Sequence, residues 1–389
     1  MSGHSPTWGR VARYPPAKRP RLAGEDALDL GSPSEGAEAE RFSLVGRRYG
    51  REISINYSAS VSQKGFIGLE LGDVLRQATT MINFAHRSSL SLPPPLQRHL
   101  ETLVSGLLQP KDGPVVDFAC PQGEDALTPP DSVSWRVFKN PVALFIGGVA
   151  AVILELAEPR VRTGVWEHSS FRRNPTRRLQ RTGMAAMITV FGPRKMAEAM
   201  IARIVHMHDK VMGKTPRGEL YYANDVDLLT WVQATAAYGF SEAYSRYVCS
   251  LTIAERDSFY REGVPASHLY GALNAPTSDV EMNALFHSMR GKLEASPIVF
   301  EFLDLICDVQ VLPVALRPIQ GMLVRAALEI TPDWVCQRLG VTSKYRLGFW
   351  EKVLVRQLGA VFDRIVLNSS PAGQSCLRLG FPADYLYRS

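Results

Sequence analysis

From Gly65 onward apolar residues recur every three or four positions, the spacing of helices that bury one face. "LGDVLRQATTMINFAHR" begins one such segment near Asp73, and "PPLQRHLETLVSGLL" opens on proline and carries glycine near its end. The same period returns at 142–157, 178–191, 194–212, 225–250, 252–262, 278–292, 297–308, 314–329 and 345–367, with Gly and Pro as punctuation. Residues 45–62 alternate as a strand does and predict a short extended arm. No internal repeat, strand–helix–strand alternation, GxGxxG or phosphate-binding loop interrupts this pattern. The predicted fold class is all-α, with one large helical domain. Residues 1–40 read as a disordered basic and polar tail and 41–130 as an N-terminal helical extension, closed by the loop "CPQGEDALTPPDS". The main domain is expected over 131–375, and 376–389 as a C-terminal tail.

Composition narrows the class further. The hydrophobic share of 46% is ordinary for a globular protein. The net charge of +6 is concentrated in "RVARYPPAKRPRL" and "RTGVWEHSSFRRNPTRRLQRTG", without the interleaved aromatics of a nucleic-acid face, so no nucleic-acid partner is expected. Five cysteines lie scattered with no CxxC pair, which suits a reducing compartment and a cytoplasmic location. The N-terminus lacks the apolar core of a signal peptide. The longest apolar run, "PVALFIGGVAAVIL" from Pro141, has about 14 residues against the roughly 20 of a spanning helix. It predicts a buried helix and no integral membrane segment. Gly147, Gly148, Ala150 and Ala151 leave room on it for a close neighbour or a flat ligand.

Two histidines stand one residue apart in "RIVHMHDKVMG". On a helix over 194–212, Ala197, Ile201, Ile204, His208 and Val211 follow at spacings of 4, 3, 4 and 3, an apolar stripe with one imidazole in it. His206 lies about 200° around the helix, beside Arg203 and Lys210, and is expected in solvent. His208 is the inward residue. It is either a core histidine bonded to a neighbouring carbonyl or a metal ligand, a role that neutral imidazole fills well.

A second constellation follows "NPTRRLQRTGMAAMITVFG", where Asn174 and Pro175 open a helix. Arg178, Arg181 and Thr182 are spaced i, i+3, i+4, which sets two guanidinium groups and a hydroxyl on one face. Such a face binds carboxylates, haem propionates among them, or polarises bound oxygen species. The alternative is a solvated basic helix paired with Glu155, Glu158 or Glu167.

Taken in order, "VSWRVFKNPVALFIGGVAAVILELAEPRV", "HSSFRRNPTRRLQRT", "HDKVMG", "YYANDVDLLTWVQATAAYGFSEAYSRY", "ERDSFYREGVPASHLYG", Pro276 and "TPDWVCQRLG" resemble the family of rubber oxygenase and the MpaB-type oxygenases. The resemblance runs from about Ser132 to Leu367. It implies a helical catalytic domain around a buried haem b pocket, with His208 as the axial iron ligand. It implies that Arg178, Arg181 and Thr182 form the distal element, the arginines stabilising propionate or oxygen-borne charge and Thr182 donating a hydrogen bond. It also implies dioxygen and an apolar, isoprenoid-type substrate as small-molecule partners, with cleavage of a carbon–carbon double bond as the reaction. The haem would be held non-covalently, as no CxxCH motif is present.

Three positions depart from the family pattern. Arg181 stands where rubber oxygenase has lysine, Glu158-Pro159 where many relatives read His-Pro, and Gln233 where many have histidine. Arginine offers no lone pair to iron, so the distal side is expected to be open or water-bound. Glu158 reads better as a structural ion pair than as a base. The rival classes are a haem monooxygenase or peroxidase and a non-enzymatic helical protein, either a haem-binding sensor or a scaffold.

Overall fold

The computed structural model describes residues 40–48, 51–59, 89–90, 92–108, 115–309, 316–342 and 345–388. The tail expected over 1–40, up to its last residue, and the helix expected near Asp73 lie outside them. The described residues form fourteen α-helices and two two-stranded ribbons, so the fold is all-α in its body. The predicted extended arm is an antiparallel hairpin, β1 (Glu40–Arg48) with β2 (Arg51–Ala59). Next comes α1 (Pro94–Leu108), the proline-opened helix.

The long apolar run becomes α3 (Pro141–Ala157), which follows the short α2 (Val133–Phe138). Asn140 starts α3: its side-chain oxygen accepts from Val142 N (3.1 Å) and Ala143 N (3.0 Å), and Pro141 takes a first-turn position that needs no donor. The helix stops at Glu158, whose carboxylate accepts from Val161 N at 2.7 Å and caps α4 (Pro159–His168) instead. The chain bends by 110° between the two helices. Among the described residues no single helix is long and apolar enough to cross a membrane.

α3 packs against α7 (Val226–Tyr247), and glycine sets the approach. A Cβ on Gly147 would lie 2.8 Å from the Gly239 carbonyl, and one on Gly239 would lie 2.4 Å from the Gly147 carbonyl. Only two side-chain-free positions let these backbones touch, the close approach expected for Gly147. Around this pair lie α5 (Pro175–Phe191), α6 (Arg194–His208), α8 (Ile253–Tyr270), α9 (Asp279–Ser288), α10 (Pro297–Asp308), α11 (Arg317–Ile330), α12 (Asp333–Leu339), α13 (Phe349–Phe362) and α14 (Pro371–Arg378). A short ribbon, β3 (Met212–Lys214) with β4 (Leu220–Tyr222), follows α6.

Of the boundaries that differ from the sequence pattern, two have a clear physical reason. α8 continues through Pro265 to Tyr270, where Gly271 ends it at φ 91°. The capping box of Thr252 and Glu255 and the burial of Phe259, Tyr260 and Ala266 outweigh the one hydrogen bond that proline removes. The boundary drawn at Cys376 falls inside α14, where Cys376 is buried. Arg378, 1% exposed, donates to the carbonyls of Phe118, Glu124 and Phe191, each at 2.7 Å. The C-terminal segment therefore clamps the loop around Glu124 onto the end of α5.

Candidate functional site

Asn174 starts α5 by accepting from Arg177 N at 3.1 Å, and one residue later Arg178 points back toward the core. Its Nη1 donates to Thr182 Oγ1 at 2.7 Å, while Thr182 Oγ1 donates to the Arg178 carbonyl at 2.9 Å. The guanidinium lies over the Phe171 ring, 5.4 Å from its centroid, and its Nε is buried without a partner among the described residues. Burial pushes the Arg178 pKa down, the Glu155 carboxylate pushes it up, and the Arg181 charge pushes it down.

Glu155 is the one charge in the apolar run that forms α3. Leu144, Gly148, Val152 and Glu155, spaced 4, 4 and 3, are half-buried on a helix whose other faces are mostly buried. This half-buried stripe of α3, with Leu144 and Val152 packed against the core, ends in a carboxyl. Burial raises the Glu155 pKa from 4.5 to about 7, against the opposing charge of Arg178. The group is poised to take or give a proton near neutrality.

His208 ends α6, on the stripe that buries Ala197 and Ile201. Its Nδ1 is buried with no hydrogen-bond partner among the described residues. Burial and then the Arg178 charge lower its pKa, while Asn224 and Asp209 raise it. The imidazole is thus held neutral, with a lone pair free for a ligand role. Asn224 anchors the turn after α6 through its Nδ2, which donates to Val205 O (3.1 Å) and Asp209 Oδ1 (2.7 Å). Its own Oδ1 is buried and partnerless. The orphaned oxygen of Asn224 and the orphaned nitrogen of His208 are the natural pair for fixing the ring's tautomer.

The other sequence-predicted residues separate from this group. His206 is exposed and pairs with Asp209 at 3.4 Å. Thr182 is exposed apart from its bonds to Arg178, and Arg181 is exposed although its charge still reaches Arg178. The i, i+4 spacing puts Arg178 and Thr182 side by side; of the two arginines expected on one face, Arg178 is half-buried and Arg181 exposed. Glu158 is buried, caps α4 and pairs with Arg160 at 2.9 Å, so its carboxylate is structural. The residues not assigned a site role from sequence are Glu155 and Asn224. Glu155 carried a signal, its isolation in an apolar run; Asn224 carried none, because it reaches His208 only through the turn that follows α6.

One half-buried imidazole, its Nδ1 without a partner among the described residues, stands within reach of the Arg178 charge. A single nitrogen donor near a cation that can meet a carboxylate fits a haem, whose iron needs few protein ligands.

No curated protein and no solved structure matches the chain. Residues 135–363, more than half of the chain, match the family described as ER-bound oxygenase mpaB/B'/Rubber oxygenase, catalytic domain, and the match spans α3, α5, α6 and α7 with every residue of the Glu155–Arg178–His208 group. The chain belongs to the rubber oxygenase and MpaB oxygenase family and carries its catalytic domain.

Proposed function

We propose that this oxygenase depends on haem b, held non-covalently, and that His208 would be the residue that binds its iron. We assign it an apolar, isoprenoid-type substrate that is oxidatively cleaved at a carbon–carbon double bond. The observation that carries the cofactor reading is the neutral, half-buried imidazole of His208, whose Nδ1 has no partner. When bound, haem supplies the iron centre that activates dioxygen, while the protein sets ligation, polarity and access.

The chain's own residues divide the remaining work. Asn224, whose buried amide oxygen also lacks a partner among the described residues, would hold the His208 ring in place. Arg178, fixed by Thr182 and by the Phe171 ring, offers its cationic head to a propionate or to negative charge developing on oxygen. Glu155 holds or releases a proton near neutral pH at the same place. The half-buried stripe of Leu144, Gly148 and Val152 supplies an apolar wall and limits water. A titrating carboxyl beside a fixed cation favours an enzyme over a haem sensor, which needs no proton carrier.

A pyridine haemochrome assay of the purified chain is expected to give about one haem per chain. His208→Ala should lose most of it and His206→Ala should retain it; equal loss in both would defeat the assignment. Incubation with labelled dioxygen separates the reaction classes. Cleavage of a double bond places one labelled oxygen on each new carbonyl, whereas a monooxygenase leaves one atom in product and a peroxidase none.

A further inference from the structure

A cleft with a cavity volume of about 550 Å³ opens between the end of α7, the start of α8 and the second half of α13. Arg246, Arg256, Arg356, Ser245, Ser250 and Gln357 line it, with Glu242. Arg256 is held in place by Glu242 (2.7 Å) and Ser245 Oγ (3.1 Å). Arg246 and Arg356 are exposed, and both guanidinium groups lie near enough to the Tyr247 hydroxyl to oppose the upward push of burial on its pKa. Three cations thus converge where Glu242 and Glu329 are the nearby carboxylates; Glu242 pairs with Arg256, and Arg246 and Arg356 stand exposed to solvent. The Gln357 Oε1 in the same wall is buried and has no partner among the described residues.

Large apolar side chains on the same two helices, α8 and α13, stand in water. Ile253 is 71% exposed, Phe349 71% and Trp350 78%. Ile253 lies one turn before Arg256 on α8. Phe349 and Trp350 precede Arg356 and Gln357 by seven residues, two turns on the same face of α13 and about 10 Å along its axis. Their rings meet edge to face at 5.2 Å, so the two form one hydrophobic knob.

We propose that this cleft is a phospholipid headgroup site that seats the chain peripherally on an anionic membrane surface, with Ile253, Phe349 and Trp350 entering the interface. Guanidinium groups match phosphate oxygens through paired hydrogen bonds. A soluble phosphate would need only the arginines and would leave the exposed Ile253, Phe349 and Trp350 without a role. Large apolar side chains on the same elements are the second of the two signals that stable peripheral binding requires, and aromatic rings suit headgroup depth. The charge is complementary to an anionic leaflet, which attracts basic side chains near its surface. The inference is independent of what His208 binds.

Sedimentation of the full chain with vesicles tests it. Phosphatidylcholine/phosphatidylserine vesicles of roughly 70:30 should take up at least about tenfold more protein than phosphatidylcholine alone, and added salt should reduce the uptake. The double variants Arg246→Gln/Arg356→Gln and Phe349→Ser/Trp350→Ser should each lower uptake about fivefold or more, with unchanged far-ultraviolet circular dichroism. Tryptophan emission should shift to the blue on the mixed vesicles and lose most of that shift in Trp350→Phe. Equal uptake by both vesicle types, or variants that bind as wild type does, would overturn the proposal. So would binding of glycerol 3-phosphate without vesicle uptake.

Discussion

His208 and His206 differ by two positions and by almost everything physical. One ends a stripe of buried apolar residues; the other faces water beside an aspartate. A helix turns about 100° per residue, so that separation was legible from spacing alone. Arg181 shows where spacing stops. It shares a face with Arg178 by count, yet a helix face near its edge contains both inward and outward residues, and only packing sorts them. Since Arg181 is exposed, Arg181→Lys should leave the absorption spectrum of the haem-loaded protein unchanged across pH 6 to 10. A low-spin fraction growing with pH, as a lysine amine deprotonates, would place this residue over the iron instead.

Glu155 makes a second test at this scale. Its pKa is raised from 4.5 to about 7 on folding, so between those values the folded chain binds more protons than the unfolded one. Its contribution is fully present below pH 4.5 and is lost as pH rises toward 7, by up to about 3 kcal/mol. His208 works in the opposite direction: its lowered pKa costs stability as pH falls below the ordinary histidine range. Both effects exist in the wild type, and Glu155→Gln removes only the first. Urea unfolding of the cofactor-free chain should therefore show the variant gaining on the wild type between pH 5 and 7.5. Parallel pH dependence in the two proteins would show that Glu155 is not desolvated.

At the scale of elements, apolar periodicity predicted α3, α5, α7 and α10 well, with Asn174 read as the start of α5; the structure shows that Asn140, Asp225 and Ser296 cap the other three through their own side chains. Short helices such as α2, α4, α12 and α14 escaped that reading. They span six to ten residues, too few for a period to stand out, and are held by tertiary partners such as Glu262, which accepts from Val133 N and Ser134 N. The glycine contact between α3 and α7 is the most sensitive of the interfaces described. Gly239→Ala would drive a methyl group to 2.4 Å from the Gly147 carbonyl, and overpacking of that kind costs about 1–3 kcal/mol. Thermal melts should show a clear fall in Tm; an unchanged melt would mean that the two helices slide apart at no cost.

For the whole molecule, cofactor binding and folding are linked. A ligand that binds only the folded chain stabilises it by about 2.7 kcal/mol at a hundred times its dissociation constant. Haem added to the cofactor-free protein should raise the Tm of wild type and of His206→Ala but not that of His208→Ala. A rise of equal size in all three would mean that haem binds elsewhere.

The amino-acid sequence by itself determined the helical class, the inward direction of His208, the capped start of α5 that aims Arg178, and the burial of the run that becomes α3. Each of these depends on residues within one or two turns of one another, where periodicity and capping act. The tertiary structure alone decided that the Arg178 charge acts on the protonation of both Glu155 and His208, and that Asn224 stands beside the imidazole. It also turned Glu158 into a cap and drew the C-terminal Arg378 into the core. Those outcomes rest on burial and on charges brought together from three helices, and desolvation is a property of the surroundings that no single segment carries.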